Sequence, residues 1–209
     1  MATSPGAFIA FEGGEGAGKS TQERLLAEHL TAAGHEVVRT REPGGTPAAE
    51  AVRNIVLSPQ FTGLDARSEA LLFAASRGEH VARVIRPALE RGAVVVCDRY
   101  LDSSVAYQGY GRGLGAERIR GLSLWATNNL LPNLTIVLDI DPLIGLKRIT
   151  NPDRLEAEPI EYHVRVRAAF LEIAGADPHR YLVVDANLPK GEIAAEITKR
   201  VGLLFQVPR

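Results

Sequence analysis

The sequence predicts a doubly wound α/β fold, a parallel sheet of about five strands flanked by helices on both faces. Short apolar runs alternate with longer amphipathic segments. The runs are rich in β-branched residues. Three of them are nearly continuous hydrophobic stretches, the mark of strands covered on both sides.

The first strand is expected at residues 8–11 and leads through glycines into a helix over 19–33. A second strand at 36–39 precedes amphipathic segments at 46–57 and 68–91. The run at 93–97, Ala93-Val94-Val95-Val96-Cys97, is a buried strand that makes Cys97 a core thiol. A helix over 115–129 and strands at 134–138 and 181–184 complete the pattern. Between two helical patterns, residues 150–159 carry two prolines and four charges, so they are expected to form a mobile lid. Asp139 and Asp141 precede Pro142 and are read as caps of the next helix.

Composition narrows the function. The 209 residues are 45% hydrophobic, enough for one core, and fall below the roughly 250 residues at which chains usually split into domains. Lys plus Arg total 24 against 25 Asp plus Glu, which argues against a general nucleic-acid binder. One cysteine allows neither an internal disulfide nor a cysteine metal cluster, and the five histidines share no metal-ligand spacing. Met1 to Pro5 lacks a signal-peptide pattern, and no apolar stretch approaches the about 20 residues of a membrane span. The expectation is a soluble, cytoplasmic protein.

Gly13-Gly14-Glu15-Gly16-Ala17-Gly18-Lys19-Ser20 matches the phosphate-binding pattern G-x-x-x-x-G-K-[ST], between a strand and a helix. Backbone N–H groups there wrap phosphate oxygens, and the helix N-terminus adds partial positive charge. Lys19 is expected on the β- and γ-phosphates and the Ser20 hydroxyl on Mg²⁺. The fold class is therefore that of a P-loop NTPase. The chain has no N-K-x-D element of the kind guanine-specific GTPases carry. The P-loop by itself leaves open a kinase for any small acceptor, or a nucleotide-binding module without turnover.

Four further segments, in order and spacing, resemble the thymidylate kinase family. They are Arg41-Glu42-Pro43-Gly44-Gly45-Thr46 with Arg53; Leu72-Phe73-Ala74-Ala75-Ser76-Arg77; Asp98-Arg99-Tyr100 with Ser103-Ser104-Val105-Ala106-Tyr107-Gln108-Gly109; and Asp153-Arg154-Leu155-Glu156. Phe73 and Arg77 are four apart, hence on one helical face, where a ring stacks on a base and a guanidinium reads its carbonyl edge. Asp98-Arg99 ends a buried strand, where ligands of open α/β sheets sit. Asp98 is expected beside Mg²⁺. Ser104, Tyr107 and Gln108 fall at i, i+3 and i+4.

The resemblance implies phosphorylation of dTMP to dTDP by ATP with Mg²⁺, in a homodimer. It assigns ATP to Gly13 through Ser20, Thr21 and Arg148, and dTMP to Glu42, Pro43, Arg53, Phe73, Arg77, Arg99, Ser104, Tyr107 and Gln108. Arg53 grips the acceptor phosphate, Arg99 bridges it to the transferring group, and Tyr107 excludes a ribose 2′-hydroxyl. Glu12, ending the first strand, is expected near phosphates and metal as part of the catalytic set with Lys19, Arg99 and Arg154. Some family members carry an arginine inside the P-loop, where this chain has Glu15, Gly16 and Ala17. The lid must then supply that charge, which makes Arg154 an arginine finger in cis. Residues 162–170 follow the family pattern only loosely, so Arg165 and Arg167 receive no role. Trp125 is read as core or interface.

Overall fold

Hydrophobic patterning and chain punctuation place the elements of the computed structural model, which describes residues 6–206. Met1 to Pro5 lies outside the described residues. In chain order the elements are β1 (Phe8–Gly13), α1 (Lys19–Ala32), β2 (Val37–Arg41), α2 (Pro47–Val56), α3 (Ala66–His80), α4 (Arg86–Glu90), β3 (Val94–Asp98), α5 (Leu101–Ser104), α6 (Ala116–Ala126), β4 (Leu134–Asp139), α7 (Pro142–Gly145), α8 (Ile160–Ala176), β5 (Tyr181–Asp185) and α9 (Lys190–Gly202).

The five strands form one sheet in the order β2-β3-β1-β4-β5. Every pairing is parallel. β1 therefore lies in the middle, with chain on both sides, and its carboxyl end opens onto the switch point where α/β sheets hold ligands. Its side chains alternate between two cores. Ile9 and Phe11 pack with Leu26 and Leu30 of α1 and Ile193 and Ile197 of α9. Phe8 and Ala10 pack with Val95, Cys97, Val81 and Ile85. Cys97 is buried there, as its strand setting predicts.

Two departures from the sequence expectation shape the site. The expected helix over 68–91 is interrupted by a π-helical turn, Val81–Ile85. Pro87 follows it in α4 and has no N–H for the carbonyl four residues back, so the ladder widens rather than continuing. A second π-helical stretch, Val105–Gly111, follows α5, so Tyr107 and Gln108 sit on a widened turn rather than a regular helix. The helix expected to reach 129 stops at Ala126, because Asn128 and Asn129 adopt left-handed φ of 49° and 58°. Asp141 caps α7 by accepting from Leu143 N (2.8 Å). Asp139 does not cap; it pairs with Arg167 (2.6 Å).

Candidate active site

The P-loop connects β1 to α1 at the centre of the sheet. Gly18 enters α1 in the left-handed region (φ 88°), which a glycine adopts without strain. A side chain at Gly16 would collide with the backbone carbonyl of Gly145, and one at Gly145 with the carbonyl of Glu15. The loop thus rests directly on α7, and no arginine fits at Gly16. Lys19 Nζ donates to the carbonyls of Gly13 (3.1 Å) and Gly14 (2.8 Å). Burial and the nearby Arg99 lower its pKa. Ser20 Oγ donates to Asp98 Oδ2 at 2.7 Å, so the two expected metal residues are neighbours. Thr21 lies in the first turn of α1, its N–H on Gly18 O (3.1 Å). Arg148 Nη1 donates to Gly16 O at 2.8 Å, on the exposed side of the loop.

Beside the cradle lies a cavity walled by Glu15, Glu42, Pro43, Arg53, Phe73, Arg77, Arg99, Ser104, Tyr107 and Gln108, among others. Every residue assigned to dTMP from the sequence reaches this one cavity. Arg77 is 2% exposed and donates from Nε to Glu42 (2.7 Å), from Nη1 to Ser123 Oγ (3.0 Å), and from Nη2 to Tyr100 O (3.2 Å) and Ser104 Oγ (3.0 Å). Four of a guanidinium's five N–H groups are then held, and one on Nη1 remains.

Arg99 is the hinge between cradle and cavity. Its φ of 69° lies in the left-handed region, a strain that proteins concentrate at functional positions. Its Nη1 donates to Gly13 O (3.1 Å), and its Nη2 donates to both oxygens of Glu15 (2.7 and 2.8 Å). Tyr107 OH donates to Glu15 as well (2.5 Å), and its ring lies 5.1 Å from the Arg99 guanidinium carbon. Burial opposes the Glu15 charge, yet Arg99 and Lys19, with the Tyr107 hydroxyl, hold its pKa down to about 2. Arg53 Nη1 donates to Pro43 O (2.9 Å), and burial and then Arg41 lower its pKa.

The family model for thymidylate kinase matches residues 11–197, nearly the whole chain. The chain belongs to the thymidylate kinase family. A thymidylate kinase from Clavibacter sepedonicus is 57% identical over 204 residues, 96% of each chain. One from Deinococcus radiodurans is 51% identical over 197 residues, 93% of this chain and 95% of that one. The crystal structure of thymidylate kinase from Ehrlichia chaffeensis superposes with a TM-score of 0.80 at 36% identity, over 94% of this chain and 99% of that chain.

Within this thymidylate kinase fold, four residues assigned from the sequence are held by protein partners that bear on their roles. Glu12 is fully buried and does not reach the cavity wall. Its oxygens accept from Tyr100 N (2.8 Å), Ser103 N (3.0 Å) and Ser103 Oγ (2.5 Å), so it shapes the loop that carries Arg99. Burial, and then the charge of Asp102, raise its pKa to about 8. Glu15 belongs to the P-loop by backbone, but its carboxylate faces the acceptor cavity. Glu42 spends one oxygen on Arg77, and the other lies 3.0 Å from His80 Nδ1; it orients Arg77.

The fourth of these residues is Arg154. It is buried, its Nη1 on Glu69 (2.7 Å) and its Nε and Nη2 on Val56 O (2.9 and 2.7 Å). Within the segment 150–159, Leu155 is buried and Asp153 Oδ1 accepts from Leu155 N and Glu156 N (2.8 and 2.9 Å), while residues 150–152, 157 and 159 are exposed. Arg148 is the basic group of this region that reaches the P-loop.

Sequence reasoning missed Ser123, Glu69 and Arg112, which hold the cavity residues from behind. Glu69 is detectable in principle, being four residues before Phe73 and eight before Arg77 on α3. Trp125 is not core: it is 81% exposed. Among the described residues no cluster of His, Cys, Asp and Glu forms a metal site, and no helix is long and apolar enough to cross a membrane.

Proposed function

We propose that this thymidylate kinase works by positioning two nucleotides on either side of Arg99 and neutralising the phosphate charge between them. The chain transfers the γ-phosphoryl group of ATP to dTMP, giving ADP and dTDP. The side chains do little covalent chemistry; alignment and charge compensation lower the barrier.

The P-loop amides from Gly13 to Ser20 and the α1 N-terminus take the donor phosphates, and Lys19 adds the charge that follows the migrating group. Arg148, beside Gly16, covers the donor from the other side. Arg53 takes the acceptor phosphate, and Arg99 spans acceptor and transferring groups. Phe73 stacks on the base while the remaining Arg77 N–H donates to a carbonyl of its edge. Tyr107, fixed by Glu15, closes the space where a ribose 2′-hydroxyl would project.

A hydroxyl 2.7 Å from a carboxylate at the mouth of the P-loop is a hard-oxygen pair of the kind Mg²⁺ selects, so Ser20 and Asp98 fit the ion. When bound, Mg²⁺ offsets charge on the donor phosphates. We also infer a homodimer, because Trp125 on α6 and Leu71 on the neighbouring α3 are 81% and 58% exposed and suit burial against a second copy. Both reactants are charged nucleotides of the cell interior, which supports a cytoplasmic enzyme.

The observation that carries the acceptor reading is Arg77, a buried residue of the cavity lining that is anchored by four bonds and keeps one uncommitted N–H. Arg77→Met should raise the KM for dTMP at least about 100-fold and leave the KM for ATP unchanged, since it removes a charged hydrogen bond and strands Glu42. A dTMP KM within about threefold of wild type would remove Arg77 from the base pocket.

A further inference from the structure

Behind the acceptor cavity, α3 carries a carboxylate that no solvent reaches. Glu69 is fully buried. Its Oε1 accepts from Gln108 Nε2 (2.9 Å) and Arg112 Nε (3.3 Å). Its Oε2 accepts from Arg112 Nη2 (3.2 Å) and Arg154 Nη1 (2.7 Å). Glu69 does not line the cavity; Gln108 does.

A side-chain amide has a donor end and an acceptor end, and their orientation follows from what each end meets. A carboxylate clasped by two guanidiniums offers acceptors and nothing else. Gln108 must therefore give it the NH₂ end, and the carbonyl Oε1 is the end left over. Among the described residues no group donates to Oε1, nor is it one of the sealed, unpartnered polar atoms. The open space it faces is the cavity. Arg77 lines the same cavity, with one N–H, on Nη1, not committed to a protein acceptor.

We propose that Glu69 is a positioning residue that sets base selectivity, by locking the Gln108 amide with its carbonyl toward the nucleobase. The inference rests on the cavity being the dTMP pocket. A donor from Arg77 and an acceptor from Gln108 match adjacent groups of a pyrimidine-dione edge, the O4 acceptor and the N3–H donor. Cytosine carries the reverse, a 4-amino donor and an N3 acceptor, so both contacts fail together. An amide free to turn would serve either base. The lock converts a general pyrimidine pocket into one for thymine and uracil.

Glu69→Gln tests it with almost no change of shape. The new carbonyl belongs at the Oε2 position, where Arg154 and Arg112 both point. Its NH₂ then meets Gln108, which must turn its own carbonyl to that NH₂ and its Nε2 into the cavity. In steady-state assays E69Q should lower kcat/KM for dTMP, mainly through KM, without a parallel fall for dCMP. The dTMP:dCMP preference should collapse at least about tenfold, the scale of one well-placed hydrogen bond to a base edge. The KM for ATP should not change.

Arg112→Ala is the comparison, because it loosens the same cluster and leaves Glu69 an acceptor for Gln108. It should lower the melting temperature and keep the preference. A folded E69Q with its preference within about threefold of wild type overturns the proposal, since a turned amide must cost more. So does an R112A that loses the preference as E69Q does. If E69Q fails to fold, Glu69→Asp carries the test. It keeps acceptor-only chemistry, so the preference should hold, and a tenfold collapse there overturns the assignment. A wild-type enzyme that does not favour dTMP over dCMP would instead remove the pocket reading itself, which separates the two failures.

Discussion

The nucleotide cradle and the acceptor cavity meet at Arg99, and they are built by opposite means. In the cradle the ligand-facing groups are mostly backbone amides from one continuous stretch, Gly13 to Ser20, shaped by glycine φ angles and the contact with Gly145. In the cavity they are side chains drawn from α2, α3, the α5–π segment and residues 153–156. Its charged groups already have protein partners, Arg77 on Glu42 and Arg99 on Glu15, and behind the wall Arg154 pairs with Glu69. A backbone cradle recognises phosphate, which all nucleotides share. A pre-paired side-chain network recognises one base, because each partner fixes the direction of the next donor or acceptor.

That contrast predicts where substitutions bite. Lys19→Ala should produce the largest effect, a fall in kcat of about 100-fold or more, because no backbone amide replaces a charge that follows the migrating phosphoryl group. Its KM for dTMP should stay near wild type. Rapid-quench or coupled assays check this, and a variant keeping a tenth of wild-type kcat would break the division between cradle and cavity.

Arg154→Ala sharpens the comparison, because sequence and structure assign it differently. Removal leaves Glu69 with Arg112 as its one charged partner, beside Gln108, and bares Val56 O, and breaking such a buried pair costs about 3–5 kcal/mol. At roughly 2–4 °C per kcal/mol for a domain of this size, the melting temperature should drop by about 10 °C. Calorimetry with kinetics decides it. An unchanged melting temperature with a 100-fold loss of kcat would restore Arg154 to the phosphates.

The smallest expected effect concerns Glu12. Its folded pKa of about 8 lies above its ordinary 4.5, so between those values the folded protein holds a proton the unfolded chain has released. Its contribution to stability is complete below pH 4.5 and declines as pH rises toward 8. Wild type should therefore lose more melting temperature than Glu12→Gln between pH 5 and 8. Parallel profiles for the two would show that the buried carboxyl is not neutral.

These cases also mark what the sequence can tell. The cradle was legible because its residues are contiguous and their spacing is dictated by phosphate geometry. The five strands were legible because burial on both faces leaves unbroken apolar runs, although β2 runs two residues further, to Arg41. Phe73 with Arg77, and Ser104 with Tyr107 and Gln108, were placed in the cavity because short helical spacings survive folding, even onto the π turn at Val105–Gly111. The direction of Arg154 was not legible, since its partner Glu69 lies 85 positions earlier in the chain. Separations of 46 and 39 positions likewise hid Ser123 behind Arg77 and the role of Glu69 behind Gln108. A charge in a polar loop looks free until the fold supplies its partner.

On this reading the cavity selects its base by prearranged side chains, while the cradle accepts phosphates without regard to base. The most direct measurement is coupled ADP release with saturating ATP against a panel of nucleoside monophosphates. dTMP should give the highest kcat/KM, and dUMP should follow about 10–200-fold below, the worth of one buried methyl group. dCMP, AMP and dGMP should fall well below both. Equal use of dTMP and dUMP would contradict a fitted thymine pocket, and a preference for a purine monophosphate would contradict the account as a whole.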